Sequence, residues 1–281
     1  MSIAGGIGEA VERAKRLECT TMQMFSRSPR GGPAPALQPE ATARFDAARR
    51  DAGIEPLAVH GPYIINLASP DAKMWNFSAR LYAEEYARIA QLKADYLVTH
   101  VGSHKGDGEE AGIARVAEGI SRALERTPAP SMVLLENTAG SGQGLGYRFE
   151  QLAAIRDQAS RKARIGVCLD TAHLFAAGYP IHTADGLNEV IRMIDETLGF
   201  ELVKLIHLND SKVPFDSRVD RHWHIGEGHI GLPAFRRIVN HPRLRDIPFI
   251  LETPKDTDAE DLKNLGAVRA LREAEVGHGR R

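Results

Sequence analysis

Three observations predict that this sequence folds as a (β/α) barrel of the TIM type, an α/β class. Strand-like and helix-like segments alternate without exception from about residue 20 to the end. The strand segments are near-continuous apolar runs, as expected of a parallel sheet covered by helices. The residues closing six successive strands, His60, His100, Glu136, Asp170, His207 and Glu252, recur at intervals of 40, 36, 34, 37 and 45. A β/α unit of such a barrel takes roughly 31 residues, more with long loops. No linker-like stretch divides the chain, so residues 1–281 are read as one domain, with about 275–281 (ending GHGRR) as a frayed tail.

The elements follow in order. Gly8 to Leu17 reads as a short amphipathic helix, and Thr20 to Phe25 as a strand rich in residues that suit a pleated surface. Ser26 to Pro39 is a loop of Gly, Pro and Arg. Glu40 to Ala52 is a helix stopped by Gly53. Leu57 to Val59 is a strand ending at His60, followed by a loop and a helix from Trp75 to Lys93. Tyr96 to Thr99 runs to His100, Glu109 to Arg126 is helical, and Met132 to Leu135 ends at Glu136. A helix over Arg148 to Gln158 precedes the strand Ile165 to Leu169, which ends at Asp170. Asp185 to Leu198 is helical, and the apolar run from Leu202 closes at His207 and Leu208. Asn209 to Lys212 and Pro214 break the pattern as a loop. Pro233 to Asn240 is a short helix, Phe249 to Leu251 leads to Glu252, and a last helix spans about Ala259 to Glu273.

Composition narrows the class. At 43% hydrophobic the chain can bury a sizeable core, and it contains no apolar run of about 18 residues, so no membrane span is expected. The N-terminus carries acids and does not read as a signal peptide. Cys19 and Cys168 suggest no disulfide framework, which points to a reduced, cytoplasmic protein. A formal net charge of -1 argues against a generally basic coat but leaves room for a local basic face on nucleic acid.

All six strand-closing residues can bind a metal, and in a barrel all six lie on the C-terminal rim where active sites sit. Singly, each has a simpler explanation: a hydrogen-bonded rim histidine, or a helix cap such as Asp170 before Thr171-Ala172-His173. Six in succession are hard to explain that way. His173 lies one turn into the helix after Asp170, while Asp220 and His222 are two apart and can point the same way from an extended loop. The set is five histidines and four carboxylates, with no thiolate. Without cations, carboxylates about 5 Å apart would repel by roughly 3 kcal/mol per pair at an effective dielectric of 20. Nine donors exceed the needs of one ion and suit two or three, with a carboxylate such as Glu136 bridging; the chemistry such clusters favour is phosphoester hydrolysis. Nitrogen and oxygen donors alone suit zinc or manganese.

With those residues identified, the sequence resembles the endonuclease IV family of apurinic/apyrimidinic endonucleases. The resemblance rests on VHGPYIINLAS, THVGSH, LLENTAGSGQGLG, CLDTAHLFAAGY, HLNDSK, DRHWHIGEGHIG and LETP, which cover most of the chain from residue 20 onward. It implies three zinc ions, with manganese able to replace zinc at one position. His60, His100 and Glu136 would hold the first. Glu136, Asp170, His207 and Glu252 would hold the second, and His173, Asp220 and His222 the third. The implied reaction is hydrolysis of the phosphodiester 5′ to an abasic site in duplex DNA, leaving a 3′-hydroxyl, within base excision repair. Glu136 and Glu252 would orient the nucleophile. Arg30 and the Tyr63-Ile64 pair occupy the places of the family's duplex-entering side chains, with Lys212 and Arg221 placed for phosphates. The enzyme is expected to act as a monomer, with no membrane partner.

Two departures stand out. Family members usually begin with a strand reading I-G-x-H-V-S, whereas this chain begins Met1-Ser2-Ile3-Ala4-Gly5-Gly6, so a barrel with its first strand missing or truncated is expected. Ser28-Pro29 stands where the family commonly has an Asn, which bears on a DNA contact and not on the chemistry. Arg27 and Arg30 also read as solvated loop charges, and Tyr63 as a packed loop aromatic. Gly140 to Gly146 fits no nucleotide-loop pattern and reads as a flexible rim loop. His104, His182, His224, His229 and His241 read as loop or supporting residues, and Cys168 as a small core residue. Two alternatives remain open: a sugar isomerase or epimerase on the same barrel, and a truncated barrel that binds metal or DNA with little turnover.

Overall fold

A computed structural model describes residues 1–272; the expected frayed tail lies outside the described residues. Seven parallel strands form one sheet in sequence order: β1 (Met22–Met24), β2 (Leu57–His60), β3 (Tyr96–His100), β4 (Met132–Glu136), β5 (Ile165–Asp170), β6 (Val203–His207) and, last in the sheet, Phe249–Ile250. Between them run α1 (Ile7–Arg16), which precedes β1, α2 (Pro39–Asp51), α3 (Ala72–Gln91), α4 (Glu109–Arg126), α5 (Phe149–Gln158), α6 (Thr171–Ala176) and α7 (Ala184–Thr197). A two-residue antiparallel ribbon, β7 (Asp210–Ser211) with β8 (His222–Trp223), then α8 (Leu232–Asn240), precede the last sheet strand, β9 (Phe249–Ile250); α9 (Asp258–Leu271) follows. The β/α alternation read from the sequence is therefore present. The ribbon falls in a stretch that reads as loop, because two residues are too few to leave an apolar pattern.

Among the described residues the barrel does not close by strand pairing. β1 and β9 are the sheet's edges, and a cleft of about 370 Å³ lies between them, lined by Met22, Gln23, Met24, Ile250 and Glu252 among others. This matches the expectation of an absent first strand. The Met1 ammonium group donates to the Gln23 carbonyl on the free edge of β1.

Period-two alternation decides what faces the barrel axis. Ala58, Val98, Leu134, Cys168, Leu205 and Ile250 form one buried apolar cluster inside the barrel. Each stands two residues before the strand-closing donor of its own segment, so the donors share that inward face one level higher, at the C-terminal rim. Cys168 is the small core residue expected, and burial pushes its thiol up to about 12. The outward faces pack the helices through a larger core that includes Phe45, Tyr82, Tyr86, Ile120, Phe149 and Phe235. Asp71 caps α3, accepting from the Met74 amide at 2.7 Å, which starts that helix three residues before Trp75. No helix among the described residues is long and apolar enough to cross a membrane.

Candidate metal centre

The strand ends bring the predicted donors together. His60, His100 and Glu136 form one group able to hold an ion; Glu136, Asp170, His207 and Glu252 form a second; Asp170, His173 and His222 form a third. Glu136 belongs to two groups, and its oxygens divide between them. Oε2 lies 2.9 Å from His100 Nε2 and 3.3 Å from His60 Nε2, while Oε1 lies 2.9 Å from His207 Nδ1. Asp170 Oδ2 likewise faces His222 Nε2 at 3.5 Å and His207 Nδ1 at 4.0 Å. Glu252, just beyond β9, reaches His207 Nδ1 at 3.1 Å. Asp220, expected in the third group, is half exposed. Its Oδ2 lies 3.2 Å from His173 Nε2 and its Oδ1 3.5 Å from His222 Nε2, so it stands beside that group together with Asp170.

The imidazoles are oriented from behind. His60 Nδ1 donates to the Gly61 carbonyl at 2.7 Å, His173 Nδ1 to the Asn137 carbonyl at 2.9 Å, and His222 Nδ1 to the Glu252 carbonyl at 3.2 Å. Each bond fixes the proton on Nδ1 and turns the Nε2 lone pair inward. His207 is reversed: Nδ1 faces the carboxylates and Nε2 faces Gln23. The carboxylates are held too. Asp170 Oδ1 caps α6 through the His173 amide at 2.7 Å, while Oδ2 faces the His222 and His207 imidazoles. Asn209 Nδ2 donates to Asp170 Oδ2 at 2.6 Å, and Asn209 Oδ1 accepts from the Glu252 amide at 2.7 Å. Sequence reasoning does not single out Gln23 or Asn209; Asn209 reads only as a loop residue.

This donor set fits metal ions. Among the described residues the ion-pair partners of all four carboxylates are histidines, with no Lys or Arg in reach to neutralise the buried Glu136 and Asp170. His173 Nε2 and His222 Nε2 lie 3.4 Å apart with lone pairs converging, an arrangement that needs a cation or a proton between them. Burial alone would lower His173, but Asp170, Asp220 and Glu136 together lift it to about 10. Burial would likewise raise Asp220; the His173 hydrogen bond and the nearby imidazoles instead bring it down to about 2. Burial of Glu136 is outweighed by His100 and His207, which hold it well below the usual carboxylate range. Metal uptake here must displace protons, so it weakens as pH falls.

At the rim, the loops carrying the proposed DNA contacts touch each other. The Tyr63 amide donates to the Pro29 carbonyl at 2.9 Å. Gly31, at φ +79°, lies so close to Ile64 that an added Cβ would come within 2.8 Å of its Cγ2. Tyr63 and Ile64 are 61% and 42% exposed, a protruding apolar pair beside exposed Arg30. The Tyr63 ring also stands 5.3 Å from that of His60 and 6.1 Å from that of His100, over the first donor group. Lys212 and Arg221 are exposed; Lys212 Nζ sits 3.9 Å over the Trp223 ring, and Arg221 donates to the Asp220 carbonyl at 2.7 Å. Arg27 is not the solvated charge the sequence suggested. It is buried and ion-paired with fully buried Glu85 of α3. The Gly140–Gly146 loop is pinned rather than loose. Gly144 bridges to Ser103, the Leu145 amide donates to the Gly102 carbonyl at 2.8 Å, and Gly146 donates to Gln151 at 2.8 Å. The five surplus histidines stand in none of the three donor groups.

Residues 11–274 match the family model of the xylose isomerase-like TIM barrels, and the chain belongs to that family. Within it, the chain is a member of the endonuclease IV family. It is 46% identical over 273 residues to the probable endonuclease 4 of Chloroflexus aurantiacus and 44% identical over 274 residues to that of Methanosphaerula palustris, with 96% of each chain covered in both cases. It superposes on the crystal structure of endonuclease IV from Thermus thermophilus with a TM-score of 0.85 at 38% identity, again over 96% of each chain. A D-tagatose 3-epimerase-like protein, at TM-score 0.67 and 17% identity, shares the fold alone.

Proposed function

We propose that this protein is a zinc-dependent apurinic/apyrimidinic endonuclease that hydrolyses the phosphodiester 5′ to an abasic site in duplex DNA. The products would be a 3′-hydroxyl and a 5′-phosphomonoester. The observation that carries the reading is the coincidence of three donor groups sharing Glu136 and Asp170 with a protruding Tyr63–Ile64 pair at the rim, the Tyr63 ring standing beside His60 and His100 of the first group. His60, His100 and Glu136 would hold one ion; Glu136, Asp170, His207 and Glu252 a second; His173, Asp220 and His222 a third, with Asp170 within reach. Such ions supply Lewis acidity at the phosphoryl group and a nucleophile available near neutral pH.

The chain's own residues provide the rest. The split oxygens of Glu136 hold two donor groups at a fixed separation, and Glu252, paired with His207, borders the same space. Those two carboxylates would orient an attacking water. Tyr63 and Ile64 would enter the duplex where the missing base leaves a gap, and the lost stacking at that position makes extrusion of the sugar cheaper there than elsewhere. Burial, then the charges of Glu252 and Glu136, push the Tyr63 hydroxyl up to about 12, so it stays neutral against DNA.

Zinc-loaded protein should incise a duplex oligonucleotide at the phosphodiester 5′ to a single abasic-site analogue, and His222→Ala should not. Folded, metal-replete protein that leaves such a duplex intact would falsify the assignment. Tyr63→Ala tests the rim separately. A stacking contact is worth about 1–3 kcal/mol, so KM for the abasic duplex should rise roughly tenfold while zinc content stays at the wild-type value. An unchanged KM would remove Tyr63 from the DNA surface.

A further inference from the structure

Four imidazoles in the centre have a visible orienting partner, and one of them differs in kind. His60, His173 and His222 each lean on a backbone carbonyl through Nδ1 and present Nε2. His207 presents Nδ1, and its Nε2 lies 2.9 Å from the side-chain oxygen of Gln23. Gln23 is on β1, in register with Ala58, the apolar residue one level below His60. Where the other six strands turn an apolar side chain into the barrel, β1 supplies a buried amide that reaches up to the donors.

The chemistry fixes which way that amide points. Glu252 Oε1, 2.6 Å away, is a carboxylate oxygen and can only accept, so the atom facing it is Nε2–H. The amide oxygen is left for His207, where it accepts the Nε2 proton. Only a side chain with one donor and one acceptor serves both neighbours: a carboxylate would repel Glu252, and an ammonium would offer His207 nothing to donate into.

We infer that Gln23 is the positioning residue for the second donor group. It locks His207 as the Nε2–H tautomer, leaving the Nδ1 lone pair for the ion, and holds Glu252 Oε1 so that Oε2 stays with His207 and Glu136. The assignment rests on the metal reading above but not on the substrate. A hydrogen-bond partner behind a ligand is worth about 10- to 100-fold in metal affinity.

Chelator competition on zinc-loaded protein is the first test. Gln23→Leu should weaken one zinc about 10- to 100-fold while the remainder keep wild-type affinity, and Gln23→Glu should weaken the same zinc at least as much. Nitrogen-15 histidine spectra of zinc-loaded wild-type protein are the second, with the His207 signals assigned by their loss in His207→Gln. They should show the proton on Nε2 and the metal-shifted nitrogen at Nδ1. Variant affinities within about twofold of wild type, or a His207 proton on Nδ1, would overturn the inference, and the spectra decide it even if neither variant folds. Zinc-loaded wild-type protein that leaves abasic DNA uncut would sink the proposed function and leave these readouts standing.

Discussion

Replacing Glu136 with glutamine should lower kcat on an abasic duplex by on the order of 10³-fold or more, about 4 kcal/mol of barrier, and should release two ions together rather than one. Glutamine matches the shape of glutamate, so the barrel rim is not disturbed; what changes is charge and lone pairs. Both glutamate oxygens face imidazole nitrogens: those of His60 and His100 on one side, that of His207 on the other. An amide NH₂ must face one of these sides and cannot coordinate there. The measurements are metal content per chain and single-turnover cleavage. Loss of a single ion with cleavage intact would show that Glu136 does not bridge. Melting adds a signed check. With zinc present the variant should melt below wild type, because ligands that bind only the native state stabilise it. In chelator the gap should narrow, because the stabilisation supplied by bound ions is lost while Glu136 keeps only its pairing with the neighbouring His100 and His207 imidazoles.

Much of this centre was legible in the sequence because strand geometry is periodic. A side chain that ends a buried parallel strand two residues beyond an inward apolar one must face the barrel mouth, so His60, His100, Glu136, Asp170 and His207 could be placed from spacing alone. Asp220 and His222 were legible through their separation of two, and the ribbon that aligns His222 with Ser211 makes that stretch extended. Less legible were side chains whose role depends on a neighbour distant in sequence. Gln23 lies 184 residues from His207 and 229 from Glu252, and within Met22-Gln23-Met24 it reads as one polar residue on a strand. Its inward phase was the available signal, since a polar residue on the barrel face of an otherwise apolar strand requires a partner. Arg27 misled for the same reason. A loop rich in Gly, Pro and Arg implies solvated charge, and nothing local reveals that Glu85 waits beneath it on α3.

That buried pair should be a sensitive point for stability outside the metal centre. Arg27 Nε donates to Glu85 Oε1, and Ser26 Oγ donates to Glu85 Oε2 at 2.7 Å. Arg88, one turn along α3, grips the Ser26 hydroxyl at 2.9 Å and its carbonyl at 2.7 Å. Glu85→Ala leaves the buried Arg27 guanidinium with only the half-exposed Glu84 carboxylate, 3.7 Å away, which costs up to about 3–5 kcal/mol, or roughly 10 °C in Tm for a chain of this size. Removing both charges with Arg27→Met and Glu85→Leu should recover most of that loss, because apolar side chains of similar volume often match or exceed a buried ion pair. The same network anchors the segment that carries Arg30 and, through the Pro29 carbonyl, the backbone of Tyr63. Loosening it should therefore raise KM for the abasic duplex in Glu85→Ala while kcat and zinc content hold, since none of the nine donors touches this pair. Thermal melting in zinc, with KM and kcat measured separately well below the variant's Tm, tests both halves. A fall in kcat at unchanged KM would mean that the loop shapes the chemistry rather than the docking of DNA.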